Sequence, residues 1–440
     1  MLFNSHEFIF LFLPVVFVGF FVLGRYSRTA GAVWLASASL FFYGWWSIQA
    51  VPILVGSVLV NFWFGKRLAH IGKQGEKTGK YLLWLALAAN LSLLGFFKYA
   101  NFFVSNVNAA LNAWQVQQIE FLDVMLPIGI SFFTFTQIAY LVDCWQGRAK
   151  EASLAHYFLF VTYFPHLIAG PVLHHKQMMP QFSESDTYRP NSGKIAVGIT
   201  VFTVGLAKKL IIADALGEYA DVFFSSVRDG MSPLFFMSWL GALSYTFQIY
   251  FDFSGYSDMA IGLSLLFGIT LPINFHSPYK ATSIIDFWRR WHISLSIFLR
   301  DYLYIPLGGN RKGKLRRYVN LLVTMLIGGL WHGANWTFVL WGGMHGVFLA
   351  VNQLWRSMTA ERIRYGKLGS FLSWALTFGC VCVAWVLFRS DTFSTALAVY
   401  KGMFGLNGIG WPTMLAGLLP QGIPTAPVTT AAGGAAWLVF

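Results

Sequence analysis

Charge is what this sequence has least of. Only 11% of its 440 residues are Asp, Glu, Lys or Arg, against about 25% in an ordinary soluble domain. So little charge on so long a chain cannot cover a water-facing globule, which argues against a soluble enzyme. Cysteine is nearly absent: Cys144, Cys380 and Cys382 lie at or inside apolar runs, with no C-x-x-C pair and no zinc spacing. Neither a disulfide framework nor a metal site is supported. Several catalytic signatures are missing: no G-x-S-x-G elbow, no H-E-x-x-H, no P-loop and no strand–helix G-x-G-x-x-G. Their absence argues against a serine hydrolase, a zincin and an NTP-driven pump. Acidic residues are also few, 18 against 31 Lys and Arg, for a net charge of +13. In a chain of apolar runs that excess belongs to cytoplasmic loops and anionic headgroups rather than to nucleic acid.

What is present is apolar and aromatic. The chain is 56% hydrophobic, with 43 Phe, 18 Trp and 18 Tyr, and its mean hydropathy is +0.57. That composition is an all-α polytopic membrane protein. Met1 to Glu7 carries no Lys or Arg and no small-residue cleavage site follows, so 8–24 reads as a retained span rather than a signal peptide. Further spans are expected at 31–46, 50–64, 81–103, 122–143, 195–213, 232–251, 319–333, 335–354 and 370–388. Residues 154–173, with Pro165 and Gly170-Pro171, and the glycine-punctuated 256–271 are ambiguous, and both are expected to be re-entrant.

Lys and Arg set the expected orientation. The 65–80 loop, Arg25 and Arg28, Arg148 and Lys150, the strongly basic 280–317 segment, and Arg356 to Lys367 all fall on one side, the cytoplasm. The acidic 214–230 segment is expected as an outer loop. The result is about ten full spans plus two re-entrant pieces, with the N-terminus outside. No separate soluble domain and no repeat is visible. The sequence stops inside an apolar run at Trp437 to Phe440, as though a span beginning near Ala431 were cut short.

An ionisable residue in such surroundings costs at least a few kcal/mol and so points to function. His332 stands in Gly328-Gly329-Leu330-Trp331-His332-Gly333-Ala334-Asn335-Trp336, where glycines permit close backbone approach and a helix break. Its alternative is a hydrogen-bonded histidine in a helix interface. His292 lies in Asp286-Phe287-Trp288-Arg289-Arg290-Trp291-His292. Apolar positions 284, 287, 288, 291, 295, 298 and 302 keep helical period there, which predicts an amphipathic interfacial helix with an Asp286–Arg290 pair. Headgroup anchoring explains its arginines but not the histidine; the same arginines suit the phosphates of an anionic donor. Asp252 and Asp258 read either as a proton or ion pair or as caps for turn N–H groups, with the structural role preferred. His166, His174 and His175 have no acid at helical spacing, and no metal is expected. His345 reads as packing. His6, His70, His156 and His276 carry no signal.

Three stretches carry a resemblance: 286–296; Leu299-Arg300-Asp301-Tyr302-Leu303-Tyr304-Ile305-Pro306-Leu307-Gly308-Gly309-Asn310-Arg311; and 328–336. Together they strongly resemble the membrane-bound O-acyltransferases, nearest the bacterial branch typified by the alginate O-acetyltransferase membrane subunit. Residues 126–132, 164–171 and 250–262 look like that branch too, and the resemblance runs from about residue 3 to 405. It implies one transmembrane domain over 1–440, with helices around a central funnel or tunnel. It implies a catalytic base at His332, a second catalytic position at His292, and donor or acceptor contacts from Trp288, Arg289, Arg290, Trp331, Asn335, Trp336, Asp258 and Tyr256. His292, or an indole or amide donor such as Trp336 or Asn335, is expected to steady the oxyanion. The implied donor is cytoplasmic acetyl-CoA, with no bound cofactor. The implied acceptor is an exopolysaccharide such as alginate, reached with periplasmic SGNH-hydrolase-like partners, and the location is the bacterial inner membrane among its lipids. Cellulose or D-alanyl transfer to teichoic acid, and a polysaccharide or lipid transporter in which His332 merely lines a pore, are the rival readings.

Overall fold

The computed structural model describes residues 1–71, 76–151, 153–168, 170–359, 366–412 and 425–426. The tail in which a cut-off span is expected lies outside them. Helices dominate: α1 Phe8–Tyr26, α2 Arg28–Trp46, α3 Ile48–Ile71, α4 Lys77–Ala113, α5 Ile130–Trp145, α6 Leu154–Thr162, α7 Phe164–Leu167, α8 His175–Ser183, α9 Ser192–Arg228, α10 Phe235–Leu266, α11 Ile284–Arg290, α12 Ile293–Leu299, α13 Lys314–His332, α14 Trp336–Thr359, α15 Lys367–Arg389 and α16 Phe393–Met403. Each of the ten expected spans carries a helix. Five of them (α1, α3, α4, α9 and α15) are both long and apolar enough to cross a bilayer. The chain is an all-α membrane protein.

Three expectations need correction. The 122–143 span is helical only from Ile130. Pro127 lies ahead of it, and Gly129 sits at φ +71° at the helix start. A Cβ on Gly129 would stand 2.9 Å from the Leu167 carbonyl oxygen, so glycine is needed there for conformation and for space. The acidic 214–230 segment is not a loop, because α9 continues to Arg228. Residues 256–266 are not re-entrant. They complete α10, whose 32 residues pass through Gly255 without a break and extend roughly 48 Å at 1.5 Å per residue. Asp252 therefore has no turn to cap. It pairs instead with Lys209 at 2.7 Å, which also holds Asp214 at 2.7 Å.

Two compact units divide the chain. The first comprises Met1–Leu206 and Tyr256–Asn274; the second comprises Ala207–Gly255 and the chain from Phe275 onward. In the first, the 154–173 stretch is a broken helix, as expected. The break at Tyr163 leaves backbone groups open, and protein covers them: the Phe164 amide donates to Ser39 Oγ at 3.1 Å, and His166 Nε2 meets the Phe160 carbonyl at 3.0 Å. Phe164 is fully buried against Phe8, Phe12 and Phe267. Irregular backbone survives at membrane depth only when covered in this way. The neighbouring histidines go to separate acids: His175 Nε2 lies 3.3 Å from Glu151, and His174 Nδ1 lies 4.0 Å from Asp143.

Helices α3 and α4 are joined by a buried reciprocal amide pair. Asn61 Nδ2 donates to Asn90 Oδ1 at 3.1 Å, and Asn90 Nδ2 donates back at 2.6 Å. Replacing one amide leaves the other's buried carbonyl oxygen without its donor, at a cost of about 1–3 kcal/mol. Asn61→Ala is expected to lower stability by that amount. The Asn61→Ala/Asn90→Ala double variant should lose less than the sum of the singles, read by thermal unfolding in detergent as a double-mutant cycle.

In the second unit, α13 and α14 form a close antiparallel hairpin. Gly329 and Gly342 face each other across it. A Cβ on Gly329 would run into the Phe338 carbonyl, and one on Gly342 into that of Met325. Small residues let the two backbones approach, and this approach sets the position of His332 at the C-terminal end of α13.

Candidate active site

The segment before the hairpin begins with Ser283, whose side chain caps α11 by accepting from the Asp286 amide at 3.1 Å. The expected Asp286–Arg290 pair is present, with Arg290 Nε donating to both carboxylate oxygens at 2.9 Å. The expected single amphipathic helix is not. It breaks after Arg290, whose carbonyl accepts from the His276 amide at 2.9 Å, and His292 turns the chain at φ +41°. A non-glycine residue in that region is strained, and such strain gathers at functional sites.

The break drives the His292 ring inward. It is 1% exposed, edge-on to Phe253 with centroids 4.7 Å apart, and 6.3 Å from Trp331. Trp331 in turn lies 4.8 Å from His332. The His332 ring is also edge-on to Trp341 at 5.2 Å and to Phe388 at 5.0 Å. Trp341 continues the series to His345 at 4.9 Å. Trp288 Nε1 donates to His345 Nδ1 at 3.3 Å. Three histidines thus sit within one aromatic wall, built from α11, α13, α14 and α15. His292 and His345 are fully buried, whereas His332 keeps partial exposure.

Burial pushes the His292 imidazole down to about 3. A histidine held neutral this way binds fewer protons folded than unfolded. Stability is therefore complete above the ordinary histidine value of about 6.5 and falls as pH drops from there toward 3. Thermal midpoints in detergent are expected to fall below about pH 6.5 in the wild type and less steeply in His292→Gln. His292→Gly should unfold at a higher temperature than His292→Ala, because glycine accepts the left-handed backbone.

The other expected contacts divide. Trp288 and Trp331 are in the wall. Arg289 points away from it and lines a separate cleft with Arg317 and Arg356. Arg290 is engaged by Asp286. Asn335 is a helix cap: its Oδ1 accepts from the Thr337 amide at 3.1 Å, and its Nδ2 donates to the Asp391 carbonyl at 2.8 Å. Trp336 is 56% exposed at the start of α14. Tyr256 and Asp258 belong to the first unit, where Tyr256 packs on Phe3 at 5.1 Å.

Sequence reasoning passed over Trp341, treated His345 as packing, and assigned no role to Trp385 or Phe388. The signal for the first two was their four-residue spacing, which places them on one face of α14. Both carry a buried ring N–H without an acceptor among the described residues, at Trp341 Nε1 and His345 Nε2.

Residues 76–388 match the family model of the membrane-bound O-acyltransferases. Over 436 residues the chain is 46% identical to a peptidoglycan O-acetyltransferase of Helicobacter pylori, covering 93% of this chain and 81% of that protein. It is 43% identical over 411 residues to a protein of Pseudomonas aeruginosa named a probable alginate O-acetylase, covering 92% and 75%. A teichoic acid D-alanyltransferase of Streptococcus thermophilus is 27% identical over 280 residues, covering 59% and 68%.

Proposed function

The chain belongs to the membrane-bound O-acyltransferase family and is an acyltransferase, and from that premise we propose that it moves acetyl from acetyl-CoA to hydroxyl groups of a bacterial surface glycan. The observation that carries the assignment of the base is exposure. Of the three histidines in the aromatic wall, His332 alone keeps accessible surface.

A hydroxyl is a poor nucleophile near neutral pH. As its oxygen attacks the thioester carbonyl carbon, the His332 imidazole takes the hydroxyl proton. The tetrahedral intermediate collapses with cleavage of the C–S bond, and the imidazolium returns the proton to the departing thiolate. The products are an O-acetyl ester and a free thiol. Trp341, 1% exposed and edge-on to His332, packs against the imidazole and holds its ring in place. The apolar rings keep water from the thioester.

The donor enters from the cytoplasmic side of the inner membrane, where the basic loops lie, and the attacking glycan hydroxyl is reached from the other side with an SGNH-hydrolase-like partner. Two acceptors have support. An exopolysaccharide such as alginate follows from the Pseudomonas relative, and peptidoglycan from the Helicobacter relative. Mass analysis of exopolysaccharide and of wall glycan, from cells with and without the protein, separates them. Acetyl ester is expected to disappear from one of the two while export continues. Loss of export would favour a transporter, and unchanged acetylation of both would refute acetyl transfer.

A further inference from the structure

The second unit holds a cleft of about 330 Å³ lined by Ile285, Arg289, Arg317, Gln353, Arg356 and Ser357. Its cations come from three separate places in the sequence: the end of α11, the first turn of α13 and the end of α14. Their convergence follows from the hairpin, which brings the start of α13 beside the end of α14. Among the described residues no carboxylate lines the cleft, and the nearby Asp286 is bound to Arg290. Arg317 donates from one Nη to Tyr318 Oη at 3.2 Å, while its Nε is buried without a partner among the described residues. Three guanidinium groups with an amide and a hydroxyl match the oxygens of a phosphate ester. The cleft is also distinct from the aromatic wall. Fifteen residues of α13 separate Arg317 from His332, roughly 22 Å along the axis.

We propose that this cleft is a phosphoryl-binding site, occupied by the phosphate of a soluble nucleotide-type ligand or by the phosphate of an anionic lipid headgroup. Both sources share the same recognition chemistry. The soluble source rests on the acetyl-CoA reading; the lipid source does not.

The test uses the full chain in phosphatidylcholine nanodiscs, titrated calorimetrically with pyrophosphate and with adenosine 3′,5′-bisphosphate. The wild type is expected to bind. The Arg317→Gln/Arg356→Gln double variant is expected to bind at least about ten-fold more weakly, with Gln353→Glu, which adds a carboxylate at nearly unchanged volume, as the second variant should the first misfold. The lipid arm uses discs containing phosphatidylglycerol and native mass spectrometry. Phosphatidylglycerol retained by the wild type and lost from the double variant assigns the lipid. Bisphosphate binding without retained lipid assigns the soluble ligand. If neither ligand binds, or both variants match the wild type, the proposal is wrong. His332→Ala is expected to bind as the wild type does, so a failure of acyl transfer leaves this test readable.

Discussion

His332→Ala is expected to lower acetyl transfer by about 10³-fold, within the range a positioned general base supplies, while leaving the thermal midpoint nearly unchanged. The two halves of that expectation have different causes. The rate falls because no other imidazole in the wall is reachable: His292 is 1% exposed and His345 0%. The fold persists because the His332 ring is only half-buried and touches its neighbours edge-on, so removing it leaves the Trp331, Trp341 and Phe388 packing in place. Release of free thiol from acetyl-CoA in the presence of the glycan acceptor and any required partner, by the purified variant compared with wild type, reads the loss. A variant within ten-fold of the wild type would remove His332 from the role of base.

The second large effect is expected at the glycines beneath it. Gly342→Ala places a methyl group against the Met325 carbonyl, and Gly329→Ala places one against that of Phe338. Backbone cannot swing aside as a side chain can, so α13 and α14 must separate. Overpacking of this kind costs typically about 1–3 kcal/mol. It also displaces His332, three residues beyond Gly329, and misplacement by about 1 Å is enough to cost about 10²-fold in rate. Gly343→Ala is the internal control. Its methyl would meet the end of the Leu326 side chain at 3.2 Å, which has freedom to turn, so stability and activity should stay near wild type. Unfolding temperatures and transfer rates of the three variants, measured together, check the argument. Equal losses at Gly342 and Gly343 would count against it.

Much of this was legible in the sequence for a simple reason. Spanning helices must satisfy their own backbone and face lipid, so apolar length alone marks them, and α1, α3, α4, α9 and α15 lie where hydropathy put them. The Asp286–Arg290 pair followed from helical spacing, and the His332 motif from an ionisable group flanked by apolar runs. Other features were hidden because tertiary contacts decide them. The periodicity of 284–302 cannot reveal that a hydrogen bond from the His276 amide ends α11 and that His292 turns inward. Ser254-Gly255 looks like punctuation, yet packing carries α10 straight through it. Asn335 has the chemistry of an oxyanion donor, but its Oδ1 caps α14 and its Nδ2 donates to the Asp391 carbonyl. The cleft of Arg289, Arg317 and Arg356 depends on which ends of a hairpin meet, which no local pattern encodes.

The most direct test follows the acyl group itself. The full chain, reconstituted with its glycan acceptor and any required partner, is given coenzyme A carrying an isotopically labelled acetyl group, and the acceptor is analysed by mass spectrometry. Labelled acetate in ester linkage to the glycan with wild type, and none above background with His332→Ala, is the expected result. Equal labelling by both proteins would contradict it.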